Sequence, residues 1–95
     1  MNTKVSPKFS LGQIVATPGA LEAIEKSQQS PSDFLARHLE GDWGDLCDED
    51  KEANDQALID GSRIFSSYQI CKEEKIWVIT EADRSSTTIL LPSEY

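Results

Sequence analysis

The chain has 95 residues, of which 38% are hydrophobic and 27% are charged, and its formal net charge is −8. This size and composition fit one globular domain, residues 1–95, in which residues 1–8 are polar and expected to be flexible. The acidic balance argues against direct binding to nucleic acid, because phosphate contacts need clustered Lys and Arg. The apolar runs are too short to cross a membrane and no secretory signal begins the chain, so we expect a cytoplasmic protein.

Two helix starts follow a short extended segment in the N-terminal half. Leu11–Ala16 (LGQIVA) is typical of a short strand. Thr17 and Ser30 each precede a proline, which predicts two helix N-termini, because the hydroxyl can accept a bond from a first-turn N–H and proline suits the first helical position. Apolar spacing extends the first helix to about Ser27, and Gly41 can end the second in a left-handed turn.

A third helix is predicted over about residues 47–60, and its two sides differ. The apolar side of the helical wheel carries Leu46, Ala53 and Ala57. The opposite side carries Asp48, Glu52 and Asp55, with Ile59 among them. The acidic side is therefore expected to face solvent.

After Gly61 the composition becomes typical of strands. Arg63–Ile70 (RIFSSYQI), Lys75–Thr80 (KIWVIT) and Thr87–Leu91 (TTILL) are rich in β-branched and aromatic residues, and Trp77 is expected in the core. We predict an α+β fold: a small antiparallel sheet of three to four strands, the C-terminal meander, packed against two or three N-terminal helices.

The whole charge imbalance lies in residues 40–60. This segment contains nine acidic residues and one basic residue, Lys51, whereas the rest of the chain has eight of each. The segment forms either a solvated helix face or a surface that attracts a basic partner. Within its GDWGD loop, Trp43 either anchors a partner or folds back onto the core, and we favour the core. The predicted partner-binding residues are Asp42, Trp43, Asp45, Asp48, Glu49, Glu52 and Asp55.

Three segments together resemble a known family. They are HLEGDWGDL (His38–Leu46), KIWVITEADRSSTTILLPSEY (Lys75–Tyr95) and LGQIVATPGALEAI (Leu11–Ile24). The pattern HxxGDWG…WxITEADRSxTTxLLPxEY is similar to that of small bacterial proteins often encoded on plasmids and other mobile elements. Some of these carry labels that mention plasmids or type I restriction systems. The resemblance implies a genomic neighbourhood, and no activity or catalytic residue.

His38 is the only histidine, and it is a candidate general acid or base. With Asp42 or Asp45 as its partner and Arg84 to bind an anion, it defines a catalytic alternative, a small toxin-like nuclease or hydrolase. However, His38 shares a predicted helix face with Phe34, so a structural histidine is favoured.

The acidic segment does not contain an EF-hand. Asp48, Asp50 and Glu52 imitate the first half of such a loop, but Ala53 replaces the required glycine and Ile59 replaces the bidentate glutamate. We predict no metal site and no cofactor.

Cys47 and Cys71 are the two cysteines, and they form no CxxC pair. They are expected to be reduced thiols, since an isolated pair in a chain without a secretory signal is typical of the cytoplasm.

The main hypothesis is a non-enzymatic binding or accessory protein that engages a basic protein partner through the acidic helix and the GDWGD loop. Given the mobile-element resemblance, that partner can be a nucleic-acid enzyme of a restriction or defence system, which the protein would inhibit as a DNA mimic. One alternative is the nuclease or hydrolase built on His38. Another is a structural or regulatory homodimer joined through a sheet edge.

Overall fold

The structure, a computed structural model, describes residues 8–95. In chain order its elements are β1 (Gln13–Ala16), α1 (Pro18–Lys26), α2 (Pro31–Leu39), α3 (Asp48–Asp60), β2 (Ile64–Cys71), β3 (Glu74–Thr80), β4 (Ser86–Leu90) and a 3₁₀ turn (Pro92–Glu94). The predicted flexible start, residues 1–8, lies outside the described residues except for Lys8. Lys8 donates its backbone N–H to the Leu39 carbonyl oxygen at 3.0 Å.

The fold is α+β, as the sequence predicts. Its four strands form one sheet in the order β1-β4-β3-β2, and β2, β3 and β4 make the predicted antiparallel meander. The first strand departs from the antiparallel prediction, because β1 runs parallel to β4, with Val15 beside Thr88. Three helices separate β1 from the meander along the chain, and local strand patterns do not specify the direction in which such distant strands pair.

α1 and α2 begin at the predicted caps. The hydroxyl of Thr17 accepts a bond from a first-turn N–H of α1 at 3.2 Å, and that of Ser30 does the same for α2 at 3.3 Å. Beyond the end of α2, Gly41 adopts a φ of 89°, the left-handed conformation expected of a glycine that stops a helix.

α3 confirms the third helix, but its buried side differs from the prediction. Asn54 and Ala57 are buried, whereas Ala53, which the wheel places on the core side, is exposed. A buried alanine contributes little apolar surface, so the hydrogen bonds of Asn54 to β2 decide how the helix is rotated. Ile59 is 79% exposed, in agreement with its predicted place on the acidic side.

The main core fills the space between the helices and one face of the sheet. Its largest members include Ile24, Phe34, Tyr68, Ile76, Val78 and Ile89. A second cluster of Trp43, Ala57 and Ile64 joins the GDWGD loop and α3 to the sheet. Trp77 alternates with Ile76 and Val78, so it points to the opposite face, where it is only half-buried and its prediction as a core residue is wrong.

Candidate functional site

The nine acidic residues of segment 40–60 all lie on the surface of the protein. We call the nine residues the acidic surface: Glu40, Asp42, Asp45, Asp48, Glu49, Asp50, Glu52, Asp55 and Asp60. All nine are exposed. Within residues 8–95, only Asp42 among them forms an ion pair, in which Nε of Arg37 lies 2.8 Å from Oδ2 of Asp42. Apart from that of Asp42, the charges of this surface are therefore not paired with basic residues of the described fold.

Most of these carboxylates accept no hydrogen bond within the fold. Asp42, Asp55 and Asp60 accept hydrogen bonds from Arg37, Trp43 and Ser62, respectively. In the part of the chain that the structure describes, the side chains of the others accept none: Glu40, Asp45, Asp48, Glu49, Asp50 and Glu52. Their oxygens remain available to solvent or to a partner.

The GDWGD loop is fixed to the edge of β2. Ser67 donates its N–H to the Trp43 carbonyl oxygen at 3.2 Å and accepts a bond from the Asp45 N–H at 2.7 Å. Gly44 lies between them with a φ of 78°, and a Cβ added to it would lie 1.9 Å from the Ser67 carbonyl oxygen. Only glycine fits there, so the loop acids are carried on a fixed backbone.

Asp42 is held by three groups. Besides its ion pair with Arg37, its Oδ1 accepts a bond from the Gly44 N–H at 3.1 Å, and its carbonyl oxygen accepts one from the Tyr68 hydroxyl at 2.6 Å. The hydrogen bond from Arg37 is the main reason why the pKa of Asp42 is lowered from its ordinary value, so the carboxylate stays ionised. It makes no hydrogen bond to His38, its predicted partner in proton transfer.

Trp43 folds back onto the core, which confirms that preference. It is 4% exposed, and its ring lies 6.4 Å from that of Phe9 and 5.8 Å from that of His38. Its Nε1–H donates to Oδ1 of Asp55 at 3.2 Å. The indole is thus not accessible as an anchor for a partner, and its place among the predicted partner-binding residues is corrected: Trp43 joins the loop to α3.

Asn54, which the sequence analysis missed, fixes α3 against the sheet. Its Nδ2 donates to the Phe65 carbonyl oxygen at 2.6 Å, and its Oδ1 accepts a bond from the Phe65 N–H at 3.1 Å. One side-chain amide therefore takes the place of a neighbouring strand at the edge of β2. The only signal in the sequence was a polar residue next to the apolar side of the predicted helix.

Arg84 stabilises the C-terminal end of α3. Its guanidinium donates to the carbonyl oxygens of Ala57 at 3.2 Å and Ser62 at 2.7 Å, and to two carbonyls of its own turn. α3 has no basic residue in its last turn, so Arg84 supplies the positive charge that stabilises a helix C-terminus. These four bonds commit the guanidinium to the backbone, which does not favour the predicted role of Arg84 in binding a substrate anion.

His38 lies in the interior with both ring nitrogens engaged. It is 0% exposed, its Nδ1 bonds to the Ser66 hydroxyl, and its Nε2 lies 3.0 Å from the Thr80 hydroxyl. Burial, with a smaller effect from the charge of Arg84, lowers the pKa of His38 to about 4. A general acid or base must reach its substrate. The geometry therefore favours the structural role and does not assemble His38, Asp42 and Arg84 into a catalytic site.

No three His, Cys, Asp or Glu side chains in residues 8–95 are placed so that they could hold a metal ion. Cys47 and Cys71 are free and exposed. Among the described helices, none combines the length and apolar character needed to cross a membrane.

No protein-family model, curated protein or solved structure matches the chain. The resemblance carried by the HxxGDWG and ITEADRS patterns therefore stays a prediction.

Proposed function

We propose that this protein is a non-enzymatic binding protein whose acidic surface engages a basic protein partner. The observation that carries the proposal is that nine exposed carboxylates share one contiguous segment and one of them forms an ion pair within the described fold. A concentrated field of one sign accelerates the encounter with a partner of opposite charge. We place this interaction in the cytoplasm, because the two cysteines of the chain are free.

The hydrogen bonds that fix the loop and α3 to the sheet support the proposal. The loop is bonded to Ser67, α3 is bonded to β2 through Asn54, and Trp43 joins the two. Acids on a fixed backbone lose less conformational freedom on binding than acids on a flexible tail. The surface is thus suited to the recognition of a partner of matching shape as well as matching charge.

The finer part of the proposal is that the partner is a nucleic-acid enzyme of a restriction or defence system. α3 has 13 residues and spans about 20 Å, over which duplex DNA carries about twelve charges. The six acids of α3, offset by Lys51, reach less than half of that density. A mimic of DNA therefore needs the loop acids Glu40, Asp42 and Asp45 as well, and a single helix is not sufficient.

A triple charge reversal tests the proposal. The variant changes Glu40, Asp45 and Glu52 to Lys, because these exposed side chains accept no hydrogen bond in the described fold and lie outside the first turn of α3, where acids stabilise the helix. Wild-type and variant proteins are immobilised and used to capture proteins from a bacterial lysate at low and at high salt, and captured proteins are identified by mass spectrometry. We expect basic proteins that bind the wild type at low salt and are lost both at high salt and with the variant.

The control reverses three exposed acids outside the acidic surface, Glu25, Glu73 and Glu74, so that the change in net charge is the same. The control should capture the same basic proteins as the wild type. If the triple reversal of the acidic surface leaves the captured set unchanged, the proposal is wrong.

A further inference from the structure

The two edges of the sheet differ in whether their outward backbone groups have hydrogen-bond partners. At the β2 edge, the backbone groups of Phe65 are bonded to Asn54 and those of Ser67 to the GDWGD loop. The first half of this edge is therefore capped against another strand. At the other edge, β1 pairs with β4, and no other strand among residues 8–95 pairs with its outer side.

The β1 edge has the properties of a strand that can pair with another strand. Gln13 and Thr17 donate their N–H groups inward, to the carbonyl oxygens of Ser85 and Ile89, so by alternation the N–H and C=O groups of Ile14 and Ala16 point away from the sheet. Ile14 is 49% exposed and Val15 is 45% exposed. No charged residue occurs from Phe9 to Leu21, although charged residues make up 27% of the chain. Exposed edges are commonly protected by charges or prolines, and β1 contains neither.

We propose that β1 pairs antiparallel with β1 of a second copy of this chain, about a two-fold axis at Val15. In this register the outward groups of Ile14 face those of Ala16 in the other copy, which makes four backbone hydrogen bonds. The two Val15 side chains meet directly as a non-hydrogen-bonded pair. The result is one continuous eight-stranded sheet.

Two observations fit a second copy as the occupant. Contacts of β1 or β2 with β2 of another molecule are restricted by Asn54 and the loop, so the two-fold pairing of β1 with β1 is the edge-to-edge contact in which neither strand is capped. The charge is also compatible. The acidic surface lies beside β2, seven strand spacings from its counterpart, or about 34 Å at 4.8 Å per strand. That distance is several Debye lengths at 0.1 M salt, so the like charges do not oppose the dimer.

A lysine substitution tests the dimer in solution. The mass of the wild-type protein, measured by light scattering over a wide concentration series, should rise from that of one chain towards that of two, because a short edge contact makes a weak dimer. Val15→Lys places two ammonium groups opposite each other and should stay monomeric. Ile59→Lys, on α3 at the far edge, is the matched control and should dimerise like the wild type.

A cysteine crosslink tests the register and remains informative if Val15→Lys fails to fold. Cα atoms of a non-hydrogen-bonded antiparallel pair lie about 4.5 Å apart, within the range that a disulfide spans. In a background with Cys47→Ser and Cys71→Ser, Val15→Cys should form a disulfide-linked dimer under mild oxidation. A wild type that stays monomeric throughout, or a Val15→Cys chain that does not crosslink, overturns the proposal. Neither result bears on the acidic surface.

Discussion

His38 shares a hydrogen bond of 3.0 Å with Thr80 in the interior, and this bond belongs to a chain whose direction is fixed at one end. The Thr87 hydroxyl donates to the Leu11 carbonyl oxygen, which can only accept. The Thr80 hydroxyl must then donate to Thr87, at 2.7 Å, so it accepts from Nε2–H of His38. Neutral His38 thus carries its proton on Nε2 and accepts at Nδ1 from the Ser66 hydroxyl. The neutral histidine thus connects α2 to the meander and, through Thr80 and Thr87, to Leu11 just before β1.

Protonation of His38 should destabilise the fold. The pKa of His38 is lowered to about 4 in the folded protein from 6.5, so the unfolded chain binds the proton more readily. Above pH 6.5, neutral His38 should make its full contribution to the free energy of unfolding. Between pH 6.5 and 4, the free energy of unfolding should fall progressively as His38 becomes protonated. The total loss is about 3 kcal/mol at 1.36 kcal/mol per unit. Urea denaturation at a series of pH values measures it.

The control for this pH dependence is His38→Gln, which keeps a polar group at the position but does not titrate. This variant should be less stable than the wild type at pH 7, and its stability should change little between pH 6.5 and 5. The lowered pKa of Asp42 acts in a different window, because its contribution is lost below its ordinary value of 3.8. An equal pH dependence in wild type and variant would show that His38 is not the titrating group.

Gly44 and Gly61 form a matched pair for testing the loop. Both have positive φ, 78° and 81° respectively, but an added Cβ meets the Ser67 carbonyl oxygen at 1.9 Å in the first and nothing within 4 Å in the second. Gly61→Ala should cost about 1–2 kcal/mol of stability, the cost of the left-handed conformation alone. Gly44→Ala should cost more, because the loop must also leave β2. Chemical denaturation compares them, and equal losses would contradict the fixed loop.

Asn54→Ala should destabilise the protein by about 2–3 kcal/mol. The substitution leaves both the N–H and the C=O of Phe65 without a partner at a partly buried edge. It also uncaps part of the β2 edge, so the variant should self-associate more strongly than the wild type in light scattering. Gln56→Ala, an exposed position on the same helix, should change the stability little. A loss as small as that of Gln56→Ala would show that the Asn54 bonds are dispensable.

The sequence predicts the parts of this fold that depend on local chemistry. The caps at Thr17 and Ser30, the stop at Gly41 and the meander strands all follow from residues that are neighbours along the chain. The direction of β1 and the bonds of Asn54 could not be predicted, because each depends on a partner that is distant in sequence.

The same distinction applies to the candidate site. The acidic segment could be read directly from the composition of residues 40–60. The hydrogen bonds from Trp43 to Asp55 and from Arg84 to the end of α3 could not be predicted from the sequence. These contacts exist only after the loop and the helix have packed on the sheet.

Glu52→Lys should make the protein more stable and a poorer binder at the same time. Asp48 and Glu52 lie four residues apart on α3, where like charges destabilise a helix by about 0.2–0.5 kcal/mol and an acid followed by a base stabilises it by a similar amount. The free energy of unfolding should therefore rise by about 0.4–1 kcal/mol, while association with a captured basic partner should slow. Glu73→Lys, in the turn between β2 and β3, makes the same change in net charge without a helical pair. Thermal unfolding and stopped-flow binding compare the two variants. If Glu73→Lys stabilises the fold and slows association as much as Glu52→Lys does, only the net charge matters and the acidic surface has no special role.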